Sequence, residues 1–307
     1  AGNYDEALEA VNNSFRLNDT DPRTCGLRGD LLRLAGRPKE ALVSLERYLG
    51  FVPDDPVMLA SKGAALFDLG RDKDALEALN RAIELRPNYA WAIGMKGSLL
   101  ASMGKLEEAG NAYQTAFTLE PSFWEAASEL SYVHISLNQP EKALEAAAQA
   151  LTVKGDDPFA LCMRGLAFNQ LGRFDEAIKS FDEAINAAPN YAFARSRRAI
   201  PLLNSGRDEE ALSTLDSAIE LNPTDGWTYA RKGEILSRLE DPNDRKTAIP
   251  LLEKALGLYP NANDATTLAS TLESLNMLEE AVAAADKAIS MDRKSLGAYL
   301  AKADALG

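Results

Sequence analysis

Segment 158–191 carries two amphipathic stretches with a break between them. From Phe159 to Leu171 apolar residues recur at helical spacing, which predicts a helix with one buried face. Gly172 interrupts the pattern, as a helix C-cap with positive φ requires. Asp175 and Glu176 open the second stretch, where acidic side chains complement a helix dipole. That stretch buries Ala177, Phe181 and Ala184, and Pro189 ends it because proline cannot continue the ladder of backbone bonds.

The same pattern returns along the chain. Ala7, Ala41, Ala75, Ala109, Ala143, Ala177 and Ala211 are spaced by 34 residues, and Ala248 and Ala281 follow after steps of 37 and 33. Gly29, Gly63, Gly97, Gly165 and Gly233 form a second series, and Pro53, Pro87, Pro121, Pro189, Pro223 and Pro260 a third. Gly36, Gly70, Gly104, Gly172 and Gly206 make a fourth. Independent series sharing one period mark a repeat array. A helical hairpin cannot bury its apolar face alone, so neighbouring units must stack.

The unit resembles the tetratricopeptide repeat. That pattern has a small residue at position 8, Ala at 20, a large apolar residue at 24, Ala at 27 and Pro at 32. In 90–123 these are Gly97, Ala109, Tyr113, Ala116 and Pro121; in 158–191 they are Gly165, Ala177, Phe181, Ala184 and Pro189. The resemblance covers essentially the whole chain and implies an all-α fold, a right-handed α-solenoid superhelix. Full units are expected at 22–55, 56–89, 90–123, 124–157, 158–191, 192–225, 226–262 and 263–295, within a single solenoid over 1–307. Residues 1–21 read as the second helix of an earlier unit, and 296–307 as the first helix of a later one.

Three units depart from the pattern. Unit 124–157 has Ser131 and Asn138 where glycines recur, and Gly155 for Pro. Unit 192–225 has Pro201 in its first helix, which should kink it. Unit 226–262 carries about three extra residues, expected in its inter-helix turn around Asp241-Pro242-Asn243, and Pro250 within its second helix. These departures read either as drift in a tolerant scaffold or as local reshaping of a groove.

Composition narrows the function. A net charge of −13 argues against a nucleic-acid partner, which needs a basic face. No apolar run approaches a membrane span. The two cysteines, Cys25 and Cys162, fit no metal or redox spacing and read as buried thiols in a reducing, cytoplasmic setting. His134 is the one histidine, at position 11 of its unit, and reads as a core residue. No nucleophile–base motif and no phosphate loop appear, so no enzyme activity, catalytic residue, cofactor or metal is expected.

In the tetratricopeptide family first helices line the concave surface, and the resemblance places positions 2, 5, 6, 9, 12 and 13 there. Position 2 is Trp91, Phe159, Phe193 and Trp227 in four units, with Met95 and Met163 nearby in register. These residues form either a groove for a protein or peptide segment, or packing against the preceding unit. Arg197 and Arg231 both occupy position 6, and Arg238 lies at position 13 of the second of these units. They read as a clamp for a partner's carboxylate or as solvated charge. The expected role is a protein-binding scaffold; the alternative is the recruiting region of a larger enzyme, such as a glycosyltransferase. Leu296, Tyr299, Leu300 and Leu306 of the last helix have no following helix to cover them, so weak end-to-end self-association is expected.

Position 7 holds Arg28, Lys62, Lys96, Arg164, Arg198 and Lys232. Position 25 of the same units holds Glu46, Asn80, Gln114, Asp182, Asp216 and Glu253. This pairing predicts a ladder of contacts within each hairpin, with Asp286 served instead by Lys302 on the next helix.

Overall fold

The computed structural model describes residues 4–307 and contains helices and turns, with no strand among the described residues. Residues 1–3 of the expected first half repeat lie outside that range. The chain divides into two compact units, one ending at Arg164 and the other beginning at Gly165. The first contains α1 (Tyr4–Leu17), α2 (Pro22–Leu34), α3 (Pro38–Phe51), α4 (Pro56–Asp68) and α5 (Asp72–Leu85). It continues through α6 (Ala90–Ser102), α7 (Leu106–Leu119), α8 (Trp124–Ser136) and α9 (Pro140–Val153) into α10 (Pro158–Gln170). The second contains α11 (Phe174–Ala187), α12 (Ala192–Asn204), α13 (Asp208–Leu221) and α14 (Gly226–Arg238). After these come α15 (Pro242–Leu258), α16 (Ala262–Ser274), α17 (Leu278–Met291) and α18 (Leu296–Leu306).

Even-numbered helices are the first helices of hairpins. α4 packs on α3 and α5, and also touches α2 and α6 along a shared first-helix face. α14 does the same with α13, α15 and α16.

In the hairpins other than α14–α15, the turn holds one residue of positive φ. Gly172 has φ +73°, and the Arg173 amide donates back to the Phe168 carbonyl at 2.9 Å, closing the last turn of α10. Asn138, which replaces the recurring glycine, adopts the same region at φ +55°. Its following amide, from Gln139, reaches the His134 carbonyl at 2.8 Å. Asparagine is among the few side chains that tolerate this backbone, so the departure leaves the turn intact.

Five hairpins close through a glycine at position 8 facing a large residue at position 24. A Cβ added to Gly29, Gly63 or Gly233 would lie 2.6–2.7 Å from the Cγ of Leu45, Leu79 or Leu252. One added to Gly97 would meet the Tyr113 ring at 2.9 Å, and one added to Gly165 the Phe181 ring at 2.8 Å. Where Ser131 replaces glycine the opposing residue is Ala147, and both are fully buried. The Ser131 hydroxyl donates to the Ala143 carbonyl at 2.8 Å, so no polar atom is stranded.

The charge ladder expected within each hairpin does not form; the ion pairs of position 7 cross to the neighbouring hairpin instead. Lys62 pairs with Glu46 at 3.5 Å, Arg198 with Asp182 at 2.7 Å, Lys232 with Asp216, and Lys302 with Asp286 at 2.6 Å. Arg28 donates to Asn12 at 2.8 Å in the same register. A position-7 side chain therefore finds its charged partner on the second helix of the preceding unit, sixteen residues back, while Arg28 and Arg198 also donate to Ser44 and Thr214 on their own second helices. Arg198 does not pair with Asp216, which serves Lys232. The physical reason is that a first helix lies in the groove between two second helices, and a long position-7 side chain reaches position 25 of the earlier one.

One further expectation needs revision. The extra residues of unit 226–262 are helical: Asp241 caps α15 by accepting from the Asn243 amide at 2.8 Å. α15 spans 17 residues, against 14 in α13 and α17. Pro201 sits buried in the last turns of α12, which runs unbroken from Ala192 to Asn204.

Gly165→Ala should destabilise the fold by about 1–3 kcal/mol, because the new methyl meets a fully buried ring. Denaturant melts of the single variant and of Gly165→Ala with Phe181→Leu check this; the smaller partner should restore part of the loss.

Candidate partner-binding face

In the first unit, α6 presents Trp91 in its first turn and Met95 one turn later, both half-buried. The residue before α6 is Tyr89, which takes the N-cap place without making a cap bond. Its ring instead lies 6.0 Å from that of Trp91. From two helices away on the same face, the Arg33 guanidinium of α2 reaches over the indole at 5.2 Å. Burial holds the Tyr89 phenol above its ordinary pKa; Arg86 and Arg33 oppose this, and Asp30 and Asp55 add to it.

Farther along this face, α10 presents Phe159, half-buried, with the Tyr132 ring of α8 6.5 Å away. Tyr132 is 44% exposed. Met163, expected beside them, is fully buried: one turn beyond Phe159 the helix has rotated into its packing surface, so this side chain belongs to the core. Beneath the pair lies Asp157, the cap of α10. Its carboxylate is 4% exposed and accepts from the Ala160 amide at 2.8 Å and the Ser128 hydroxyl at 3.0 Å. Next to Ser128 stands Glu129. Its carboxyl is held above the ordinary range by burial first and by the charge of Asp157 second.

In the second unit the same positions carry more charge. Phe193 of α12 stacks on Tyr191 with centroids 5.8 Å apart. The Arg197 guanidinium lies 4.9 Å from the Phe193 ring and 3.5 Å from the Trp227 ring of α14. Arg231, also on α14, pairs with Glu234 and lies 3.5 Å from Asp264 of α16. Arg238 pairs with the same Glu234. A pocket of about 520 Å³ opens beside Trp227 and Arg231, lined also by Tyr259, Asn261 and Asp264. The basic spot read from the sequence is thus largely internally compensated: Arg231 and Arg238 are held by carboxylates of their own chain, and Arg197 lies over aromatic rings.

Tetratricopeptide-repeat family models match residues 28–90 and 95–160, residues 158–191, and residues 266–295. The chain belongs to the tetratricopeptide repeat family. No curated protein matches it. Among solved structures it is similar to the anaphase-promoting complex hetero-tetramer Cut9-Hcn1, with a TM-score of 0.71 at 16% identity over 88% of this chain. This chain spans 53% of the length of that one. It is also similar to a tetratricopeptide repeat protein from Parabacteroides merdae, with a TM-score of 0.57 at 16% identity over 99% of both chains. A third similar structure is TTC0263 of Thermus thermophilus, with a TM-score of 0.50 at 24% identity over 60% of this chain and 98% of that one. These likenesses concern the fold.

Elsewhere in this tetratricopeptide array, His134 is half-buried, its Nδ1 is 3.1 Å from Gln139 Oε1, and burial lowers its pKa. Cys25 and Cys162 are buried and unbridged. Among the described residues no group of His, Cys, Asp and Glu is placed to hold a metal, and no helix is long and apolar enough to cross a membrane. Sequence reasoning missed Arg33, Glu129 and Tyr132, at positions 12, 6 and 9 of their units. All three sit at face-lining register positions, and attention to aromatic recurrence at position 2 passed over them.

The raised pKa of Glu129 carries a stability consequence. The folded chain favours the protonated carboxyl, so this group costs nothing below the unfolded value of about 4.3. As pH rises through the higher folded value, ionisation destabilises the fold. Glu129→Gln should therefore raise Tm at pH 7 and leave it nearly unchanged at pH 4. Thermal melts at the two pH values check this; an equal gain at both would trace the effect to packing rather than charge.

Proposed function

We propose that this tetratricopeptide array is a scaffold that holds a protein or peptide segment against its first-helix face. The observation that carries the reading is the recurrence of half-buried aromatics at one register position. Trp91, Phe159, Phe193 and Trp227 each pack one side into the array and leave part of the ring accessible. Such rings are rigid and cost little entropy to order, which suits anchoring an apolar side chain of a partner. Met95 adds an adaptable contact next to Trp91. Arg197 and Arg231 contribute flat, partly neutralised guanidinium surfaces beside Trp227, and not a free anion clamp.

Phe159→Ala combined with Phe193→Ala should weaken a selected peptide ligand by roughly tenfold or more while leaving the helical circular-dichroism signal intact. Fluorescence anisotropy with a peptide chosen by display on the unaltered protein makes the measurement. Unchanged affinity would reject the face as the binding surface.

A second contact, between copies, is supported by α18. Leu296 is 71% exposed, Leu306 68%, and Tyr299 and Leu300 about half. An apolar row of this kind favours weak association. Sedimentation over a range of concentrations should show a rise in apparent mass that Leu296→Lys with Leu300→Lys abolishes; a strict monomer throughout would count against it.

A further inference from the structure

We infer that the pocket between α14 and α16 takes an aromatic side chain, of the size of phenylalanine or tyrosine, from the segment held on the first-helix face. The inference rests on the scaffold reading and deepens it, by naming one residue that the partner supplies.

The linker before α16 is one residue short. Two residues separate Pro53 from α4, Pro87 from α6, Pro121 from α8, Pro189 from α12 and Pro223 from α14. The second of the two is Asp55, Tyr89, Phe123, Tyr191 and Asp225 in turn. Between Pro260 and α16 stands Asn261 alone, so the residue that ends the other linkers is missing.

In two linkers the structure shows what that residue does: it covers position 5 of the preceding first helix. The Phe123 ring lies so close over Gly94 that a Cβ there would be 2.7 Å from it. The Asp157 carboxylate takes the same place over Ser128, accepting from its hydroxyl at 3.0 Å. Where the linker ends in Asp55, the Tyr48 ring of α3 covers position 5 instead, 2.9 Å from a Cβ built on Gly26. In α14 position 5 is Ala230, and there the pocket of about 520 Å³ opens. Asn261 spends its side chain on α16: it accepts from the Asp264 amide at 2.9 Å and donates to the Asp264 carboxylate at 2.5 Å. The pocket thus stands where the chain's own rings cover Gly26 and Gly94, and a partner's ring fits it for the same reason.

A second departure points the same way. Tyr259 takes the C-cap place of α15, where α5, α7 and α13 have Arg86, Glu120 and Asn222. It is 71% exposed and stands on the pocket wall with Trp227. Aromatic rings attract one another beyond the burial of area, and Arg231 on the same wall adds cation–π attraction. A charged ligand gains less. Asp225 accepts from the Trp227 amide at 3.2 Å, Asp264 meets Asn261 and Arg231, and Arg231 also meets Glu234. These charges are already engaged, so an incoming ion would lose water without a full counter-charge. The volume lies within the roughly 300–1,000 Å³ of small-ligand sites, enough for a ring and the backbone beside it.

The test uses p-cresol, the tyrosine side chain without its backbone, and NMR of the whole chain. The Trp227 indole N–H signal, assigned by its loss in Trp227→Phe, should shift saturably with p-cresol. The ring-saturated analogue of p-cresol should bind about tenfold more weakly. Tyr259→Ala, at an exposed position, should weaken p-cresol about fivefold without altering helicity. A tyrosine inserted between Asn261 and Ala262 restores the linker length; it should fill the pocket, abolish the shift and raise Tm. If the insertion variant does not fold, Tyr259→Ala decides. No saturable shift at Trp227, equal binding of the saturated analogue, or unchanged binding in Tyr259→Ala overturns the inference. So does an insertion variant that keeps its helicity and still binds. The scaffold reading keeps its own measurement in Phe159→Ala with Phe193→Ala. Peptide affinity lost there while p-cresol fails leaves the scaffold without this pocket. Binding of p-cresol without that loss removes the scaffold and leaves a site for aromatic ligands.

Discussion

Each hairpin closes only where its first helix offers room for a side chain from its second. The five glycines at position 8 face Leu45, Leu79, Tyr113, Phe181 and Leu252, and none could carry a β-carbon without displacing its partner. The rule is a sum of volumes rather than a demand for glycine. Ser131 faces Ala147, and Ala269 faces Ala285. Ala199 faces Leu215, both fully buried.

That volume rule is what made the fold readable. Periodic alanines, glycines and prolines are backbone and packing requirements, and they survive as residue identities at fixed offsets. Register between neighbouring hairpins is not written so plainly. The basic residue at position 7 and the acidic residue at position 25 were both visible, yet counting within a unit joined Arg198 to Asp216, whereas the fold joins it to Asp182. Sequence spacing cannot tell which of two equidistant second helices a long side chain leans toward. The extra residues before Pro250 failed for a related reason. A proline and two asparagine-or-aspartate neighbours suggest a turn, but Asp241 and Pro242 are also a helix cap and first residue, and the fold uses them that way.

The binding face was legible in outline only. Recurrence drew attention to Trp91, Phe159, Phe193 and Trp227, and their half-burial fits both readings the sequence left open, packing on one edge and accessible surface on the other. Met163 shares the register of Met95 but is fully buried, since one helical position tolerates either orientation according to the bulk around it. Glu129 and Arg33 do not recur, so periodicity had no hold on them.

The crossing ion pairs have a consequence for how the array comes apart. The contacts at the position-8 glycines are internal to a hairpin, whereas Lys62–Glu46, Arg198–Asp182, Lys232–Asp216 and Lys302–Asp286 join one hairpin to the next. In a one-dimensional lattice of folding units, the first kind of contact enters the intrinsic term of a site and the second enters the coupling between sites. Dissolved electrolyte screens the second and hardly touches the first. Rising ionic strength thus acts on cooperativity: it shortens the run of hairpins that melt together, and lets the array fray from its ends while its inner hairpins keep their own packing.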